Sequence, residues 1–311
     1  MIACASGGNI STSTNFGVSW RKSVSAGTRS WSGVTSSGSG QKVAAVVSGG
    51  LVYTSSDYGV AWTARTSLGS QKWASIASDI SGSYLVAAVG GYNNFGYLYT
   101  SSNAGLTWTQ ATSAGSHSWS AVASSSTGQY LVAVASTNLD YVYTSSNVGS
   151  SWTQQTAAGS RYWTGVASDS TGQYIVATAH NTGYIYTSSN YGVSWTQRAF
   201  GAQWFGVVSS SSGQYLAAVY SNDGYNGYGG YVCTSSDYGT SWTTQTATGK
   251  IYATSLASDS SGQYLVTGSI GSNNLGGYIF VSPATPTSSP SQMVSVTKHN
   301  AMTAVISCVA L

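Results

Sequence analysis

Residues 101–108 have the sequence SSNAGLTW, and five other stretches of the chain repeat the same pattern. The copies are STNFGVSW (13–20), SSDYGVAW (55–62), SSNVGSSW (145–152), SSNYGVSW (188–195) and SSDYGTSW (235–242). We call this eight-residue pattern the box; its closing tryptophans recur at intervals of 42 to 47 residues. A period of this length is typical of solenoids, propellers and other repeat architectures.

A second column of tryptophans follows the first at a short distance along the chain. These residues stand at positions 31, 73, 119, 163 and 204, each 9 or 11 residues after the tryptophan of a box. Together the two columns contain all eleven tryptophans of the chain. We therefore predict a structural role for every tryptophan, in the core of the repeats.

Each repeat contains four short runs that are typical of β-strands. In one repeat they are WTGVAS (163–168), YIVATA (174–179), GYIYTSS (183–189) and WTQRA (195–199). Runs rich in Val, Ile, Tyr and Thr, separated by Gly, Ser and Asn turns, indicate antiparallel strands. Four strands in 40 to 50 residues predict one blade of a β-propeller, so the fold class is all-β.

The two ends of the chain together predict the number of blades. The last full repeat begins at Ala253, and an irregular loop, 283–292, stands where its box would be. Residues 301–311 match the first strand of a repeat, while residues 1–23 match the other three. We therefore predict a single domain, 1–311. It is a seven-bladed propeller of four-stranded antiparallel blades, and a composite blade of N- and C-terminal strands closes the ring.

The composition excludes several classes of protein. Charged residues make up 5% of the chain, with ten Lys and Arg, seven Asp and no Glu; about 25% is usual. The hydrophobic content of 41% is enough to form a core, which argues against a disordered chain. The net charge of +3 is small and scattered, which argues against nucleic-acid binding. No run is long enough to span a membrane, and the start, MIACASGG, shows no signal-peptide pattern. We expect a monomer, and the composition favours an extracellular, cell-surface or viral location.

The box has a physical explanation as a turn between the third and fourth strands of a blade. Asp or Asn can accept bonds from nearby backbone N–H groups, Gly allows a positive φ, and Trp packs between sheets. The pattern resembles the Asp-box, or BNR repeat, of sialidase-like propellers, a group that includes the Ycf48-like photosystem assembly factors. We predict structural roles for the central residues, Asn15, Asp57, Asn103, Asn147, Asn190 and Asp237. The alternative is one small ligand or metal per box, but Asn in four of the six boxes disfavours a cation.

Alternating strand direction divides the loops of such a propeller between two faces. The boxes and the turns after each first strand share one face, the box face. The second-to-third-strand loops and the connections between blades share the other, which we call the variable-loop face. Its loops differ between repeats, and binding residues usually lie on such loops.

The candidate ligand-binding residues all belong to the variable-loop face. Those predicted at the mouth of the central channel are Arg29, Lys72, His117, Arg161, Gln203, Lys250 and His299. Those in the variable loops are Tyr92, His180, Tyr225 and Tyr228. They suit an anionic or hydroxyl-rich partner, and the tyrosines could stack on sugar rings; the alternative is a set of solvated loop ends and shielding rings.

Catalysis is the less favoured function. The sialidase resemblance implies an arginine triad and a Tyr–Glu pair, but the chain has no Glu, and only Arg29 and Arg161 fall at the predicted mouth. A glycosidase needs two carboxylates, for which Asp140 and Asp223 are the candidates. We predict no metal and no cofactor. The favoured function is non-catalytic recognition of a glycan or a protein; the alternatives are a glycoside hydrolase using Asp140 and Asp223, and a Ycf48-like assembly factor.

Overall fold

The computed structural model describes residues 1–91, 93–137, 139–180, 183–199, 201–221, 230–246, 253–269, 277–281, 294–299 and 303–307. Within these ranges almost all regular structure is β-strand, as predicted. The described residues also include two single-turn 3-10 helices, Thr112–Ala114 and Thr156–Ala158. No helix in these ranges is long and apolar enough to cross a bilayer.

Four antiparallel sheets each consist of four consecutive strands paired in sequence order. One contains β12 (Trp119–Ser124), β13 (Leu131–Ala135), β14 (Val142–Ser145) and β15 (Thr153–Gln155). The next contains β16 (Tyr162–Ser168), β17 (Ile175–His180), β18 (Ile185–Ser188) and β19 (Thr196–Arg198). A third contains β20 (Gln203–Ser209), β21 (Leu216–Ser221), β22 (Gly230–Ser235) and β23 (Thr243–Thr244). The fourth contains β24 (Ala253–Ser258), β25 (Leu265–Ser269), β26 (Gly277–Val281) and β27 (Val294–His299).

The remaining strands form a twelve-stranded sheet in which the same four-strand order recurs. One group contains β4 (Arg29–Ser36), β5 (Val43–Gly50), β6 (Val52–Ser55) and β7 (Thr63–Arg65). Another contains β8 (Gln71–Ser78), β9 (Leu85–Val89), β10 (Leu98–Ser101) and β11 (Thr109–Ala111). The last contains β1 (Ile2–Gly8), β2 (Ile10–Thr12), β3 (Arg21–Ser23) and β28 (Thr303–Ser307). In it β1 pairs antiparallel with β28, which places Ile2 opposite Ser307.

The core is aromatic because tryptophans of the two columns contact each other inside four of the four-stranded units. The tryptophans of the first strands, Trp31, Trp73, Trp119, Trp163 and Trp204, are at most 1% exposed. Trp163, for example, contacts Tyr186 of the third strand edge to face and Trp195 of the box, with ring centroids 5.3 and 6.4 Å apart. Second strands such as β9 and β13 are buried along their whole length. This packing agrees with the structural role predicted for the tryptophans.

The box forms a hydrogen-bonded turn whose Ser and Asp or Asn connections are the same in all six copies, while the bond of the closing tryptophan is present in every copy but that of Trp20. In residues 188–195, the Ser188 hydroxyl donates to Asn190 Oδ1 and accepts the Gly192 N–H. Asn190 Oδ1 also accepts the Ser194 N–H, and Trp195 Nε1 donates to the Gly192 carbonyl. The residue before each box glycine also has a positive φ, between 53° and 63°, which the sequence pattern did not predict; these residues are Phe16, Tyr58, Ala104, Val148, Tyr191 and Tyr238.

Hydrogen bonds place the boxes and the turns after the first strands on one face, as predicted. Within a sheet, the Tyr191 N–H of the box donates to the Gln173 carbonyl of that turn. Between successive sheets, the turns form a chain of single N–H to carbonyl bonds. The chain runs in order through Gly38, Ile80, Ser126, Ser170, Ser211 and Ser260.

The opposite face consists of the second-to-third-strand loops and the connections that lead into the next sheet. There Gly96 and His117 exchange two backbone hydrogen bonds of 3.0 Å. The Arg161 N–H donates to the Asp140 carbonyl at 2.8 Å, and Ala202 bonds Gly183 in the same way. These bonds bring three described loops beside the residues that precede the next first strands, so His117, Asp140 and Arg161 share this face.

Candidate functional site

On the variable-loop face, His117, Asp140 and Tyr143 form a polar cluster. His117 Nδ1 lies 2.5 Å from Asp140 Oδ2, and the Tyr143 hydroxyl donates to Asp140 Oδ1 at 3.2 Å. The Tyr141 N–H donates to the same Oδ1 at 2.8 Å. The imidazole lies against the Tyr143 ring, with centroids 4.8 Å apart. Both oxygens of the Asp140 carboxylate are therefore held by groups close to it in the fold.

Asp140 occupies a backbone position that is glycine in other repeats. In those repeats the first-strand tryptophan donates its Nε1–H to a loop carbonyl, and the acceptors are Gly50, Gly96 and Gly183. Asp140 accepts the same bond from Trp163 at 3.0 Å. The main chain thus retains its structural role, while the carboxylate is an addition particular to this repeat.

The surroundings of Asp140 favour its ionised form. Burial by itself would raise the pKa of Asp140, but the hydrogen bonds from His117, Tyr141 and Tyr143 and the charge of His117 outweigh it and lower the pKa. Burial, with the charge and hydrogen bond of Asp140, raises the pKa of the Tyr143 phenol well above its usual value. The cluster therefore holds a carboxylate beside a neutral phenol at neutral pH, which suits charge pairing better than proton donation.

Arg29 and Arg161 occupy positions equivalent to that of His117, two residues before a first-strand tryptophan. The Arg161 guanidinium lies over the ring of Tyr186 at 4.4 Å, and the Arg29 guanidinium lies over Tyr53 at 4.6 Å. Each Nε also donates to a carbonyl of the preceding loop. The cations are thus directed over the third strands of their own sheets, and each is held by one stacking contact and one hydrogen bond.

The other described candidates are distributed over separate sheets. Lys72 is exposed, and its carbonyl accepts the Gly90 N–H. His180 is 9% exposed at the end of β17, where burial lowers its pKa, and its ring lies 5.8 Å from that of Phe205. Gln203 begins β20, opposite Ser221. Among the candidates, the structure brings together His117 and Asp140 through their side chains.

Several predicted residues lie outside the described residues, and these are Tyr92, Asp223, Tyr225, Tyr228 and Lys250. His299 is described by its backbone alone, at the end of β27. The predicted Asp140–Asp223 pair is therefore described for Asp140 only. In the described part of the chain, no group of three or more His, Cys, Asp or Glu side chains could hold a metal ion.

The sequence pattern did not predict the pairing of His117 with Asp140, because the two residues fell into different groups of candidates. They are 23 positions apart, and the residues between them give no direct indication of the contact. A signal was nevertheless present, because Asp140 replaces a glycine, and His117 stands at a position that holds Arg, Gln or Ala in the other repeats with a first-strand tryptophan. Comparing the repeats position by position would have identified both.

No family model matches the chain, and no curated protein matches its sequence. Among solved structures, it is similar to the GH74 xyloglucanase from Xanthomonas campestris, with a TM-score of 0.67 and 13% identity over 89% of this chain and 49% of that one. YCF48 bound to D1 peptide is also similar, with a TM-score of 0.56 and 11% identity over 81% and 78% of the two chains. So is a chain of the nidogen/laminin complex, with a TM-score of 0.58 and 14% identity over 78% and 90%.

The chain has a β-propeller fold. Its four-stranded sheets are the blades of this propeller, and the blade is the unit that the box pattern repeats. The chain spans about half the length of the xyloglucanase. At these identities the similarity shows the fold alone, because a propeller of one architecture can carry unrelated functions.

Proposed function

We propose that this propeller is a non-catalytic recognition module, acting as a monomer, that binds a glycan or a protein through its variable-loop face. The observation that carries the proposal is the hydrogen bonding of the Asp140 carboxylate, which keeps it ionised. Its two oxygens accept hydrogen bonds from His117, Tyr141 and Tyr143, and its pKa is lowered. A carboxylate in this state is a poor proton donor, whereas a general acid of a glycosidase needs a raised pKa.

The charges on the two faces support binding at the variable-loop face. Arg29, Lys72, His117 and Arg161 lie there, and its one described carboxylate, Asp140, is paired with His117. The other described Asp residues belong to the box face, where they serve turns: Asp57 and Asp237 in boxes, and Asp79, Asp169 and Asp259 after first strands. An anionic or hydroxyl-rich partner would therefore meet a favourable surface on the variable-loop side.

The proposed site would lie on one face of a closed ring of seven blades. The proposal is supported by the pairing of β1 with β28, which gives the terminal strands a four-stranded blade of their own. It is also supported by an aromatic contact of Phe16, in the first box, with Tyr264 of the β24–β27 blade, with centroids 5.3 Å apart. The same contact joins consecutive blades elsewhere, in Tyr191 with Tyr130 and Tyr238 with Tyr174. Phe16 therefore makes the contact expected between a last and a first blade.

Binding to a glycan array, compared between the wild type and two double variants, tests this function. Arg29→Ala/Arg161→Ala removes two cations of the variable-loop face and should lower binding at least tenfold. Arg65→Gln/Arg198→Gln is the matched control, because it removes two cations of outer strands. Gln155 makes the same bond to a third-strand threonine that Arg65 and Arg198 make. Equal losses in both double variants would contradict the proposed site.

The alternative function is glycoside hydrolysis using Asp140 with Asp223. It draws on the fold shared with the GH74 xyloglucanase. Release of reducing ends from xyloglucan and other β-glucans by the wild type, and its loss in Asp140→Asn, would replace the recognition proposal with this one. Absence of hydrolysis together with glycan binding would leave recognition as the better function.

A Ycf48-like assembly factor is the further alternative, and it would use the same cations for a peptide. The solved YCF48 structure holds a D1 peptide. Binding to a peptide array that Arg29→Ala/Arg161→Ala abolishes, without glycan binding by the wild type, would favour this protein-binding form of the proposal.

A further inference from the structure

A cleft of about 260 Å³ opens on the box side, between the β8–β11 blade and the β12–β15 blade. The ends of β10 and β11 form one wall, and the box at 145–152 forms the other. Hydroxyl and amide side chains line most of it, and none of the lining residues is charged. This cleft is separate from the His117–Asp140 cluster, which belongs to the variable-loop face.

One side chain that other blades contain is missing from this cleft. In four blades the third residue of the outer-strand segment donates to a threonine of the third strand. The pairs are Arg65 with Thr54, Gln155 with Thr144, Arg198 with Thr187, and Gln245 with Thr234, at 2.6 to 3.1 Å. In the β8–β11 blade this position is Ala111, paired with Leu98, so the hydroxyl of Thr100 has no such donor.

The hydroxyl groups around this space are available for a ligand. Thr100, Ser102, Thr109, Thr112 and Ser150 line the cleft, and their side chains make no hydrogen bond to another described residue. A hydroxyl can both donate and accept, so the set complements a molecule with many hydroxyls of its own. The corresponding cleft of the preceding blade interface differs, because Lys42, Asp57 and Arg65 line its 170 Å³.

We propose that the Ala111 cleft binds a single neutral sugar ring, either a free monosaccharide or one residue of a glycan. Its volume far exceeds the roughly 10–15 Å³ that one water requires and stays below the roughly 300–1,000 Å³ of pockets for larger ligands. Neutral lining groups favour an uncharged ligand, because no cation lines the cleft that could pair with a carboxylate or phosphate. The site is independent of the proposed function, since it lies on the opposite face.

Saturation-transfer NMR with a panel of methyl pyranosides, of the gluco, galacto, manno and N-acetylglucosamine types, tests the inference. The decisive variant is Ala111→Gln, which places in the cleft the side chain that Gln155 and Gln245 carry in other blades. We expect it to fold as well as the wild type and to reduce saturation transfer at least tenfold for the glycosides that bind. Ala64→Gln adds the same side chain to an exposed site on the outer strand β7 and should leave the signal unchanged.

A wild-type protein that contacts none of the glycosides, or an Ala111→Gln variant that binds them as well as the wild type, would overturn the inference. If Ala111→Gln lowers the melting temperature, Thr100→Val serves instead, because it removes the central hydroxyl with little change in volume. A glycan array distinguishes a free monosaccharide from one residue of a longer glycan. Glycan signals that are lost in Ala111→Gln but kept in Arg29→Ala/Arg161→Ala indicate a residue of a longer glycan. The opposite pattern would support only the proposed variable-loop site.

Discussion

Asp140 shows how a residue can acquire a new role within a repeat while it keeps the old one. Its carbonyl accepts the bond from Trp163 that glycine carbonyls accept elsewhere, and its carboxylate binds His117 and Tyr143. The backbone bond depends on the fold, whereas the side-chain cluster depends on this one residue. A substitution can therefore test the cluster without removing the structural bond.

Asp140→Asn should destabilise the protein in a pH-dependent manner. The pKa of Asp140 is lowered in the folded state, so its ionised form contributes stability above the unfolded pKa of about 3.9. This contribution is lost as the pH falls through the folded pKa, where wild type and variant should converge. Urea unfolding at pH 7 and at pH 3 measures the difference, and an equal effect at both values would contradict the assigned charge.

Trp119→Ala should cost about 3–5 kcal/mol of unfolding free energy, as deletion of a large buried ring does. Trp119 is fully buried, donates its Nε1–H to the Gly96 carbonyl and contacts Tyr143 at 5.0 Å between centroids. Urea unfolding provides the measurement, with Trp119→Phe as a control that keeps most of the apolar volume. A near-neutral Trp119→Ala would contradict the aromatic core.

Two consecutive residues in each box, the glycine and the residue before it, have a positive φ. Substitutions at these two positions should have opposite effects on stability. Ala104 has a φ of 56°, so Ala104→Gly should stabilise by about 0.5–1 kcal/mol, as the strain of a Cβ in this region is removed. Gly105 has a φ of 79°, and a Cβ there would lie 3.0 Å from the Thr54 methyl. Gly105→Ala should therefore destabilise, and thermal melts of both variants would reveal a reversed order if the turn geometry were different.

At the scale of the element, the box is a unit that tolerates Asp and Asn alike. Asp57 and Asn103 each accept a serine hydroxyl and the N–H four residues later through Oδ1, an atom that both side chains present. The bonds of Ala61 and Ser55 also lower the pKa of Asp57. The turn therefore requires an acceptor at this point and has no need of the charge.

Substitutions in one box separate the structural role from metal binding. Asn103→Asp should be nearly neutral, whereas Asn103→Ala should cost about 1–2 kcal/mol because two hydrogen bonds to Oδ1 are lost. Melting temperatures measured with calcium and with a chelator should agree for the wild type. A rise with calcium would instead favour the alternative of a cation in each box, because a ligand that binds the folded state stabilises it.

At the scale of the whole molecule, contacts join each blade to its neighbours in order. The chain of bonds between turns runs from Gly38 to Ser260, and the Phe16–Tyr264 stack and the β1–β28 pairing involve the two ends of the sequence. In the proposed ring, every blade would contact two neighbouring blades. Its closure would then depend on residues that are furthest apart in the chain.

Removal of residues 301–311 should prevent stable folding. The deletion takes away β28, so that β1 loses one of its partner strands and exposes the hydrogen-bonding groups of an apolar strand edge. Circular dichroism and gel filtration of the truncated chain would show unfolding or aggregation. A soluble truncation with the wild-type melting temperature would contradict the closure of the ring by these strands.

The sequence by itself determined the features that depend on local spacing. The repeat of the box, the two tryptophan columns and the alternation of Val, Ile and Tyr predicted antiparallel four-stranded units and the division of turns between two faces. These features follow from short-range hydrogen bonds and from burial, which leave a regular pattern in the chain. The positive φ of the residue before each box glycine leaves no such pattern, because Phe, Tyr, Ala and Val have no preference for it.

Only the tertiary structure decided which unusual residues meet. The contact between His117 and Asp140 depends on the strand register that brings a loop beside the connection preceding β12. The Ala111 cleft likewise depends on the box of the next blade, which closes the space that a missing side chain leaves. Such sites arise between segments distant in sequence, where side-chain packing sets the distances, so residue spacing alone carries no record of them.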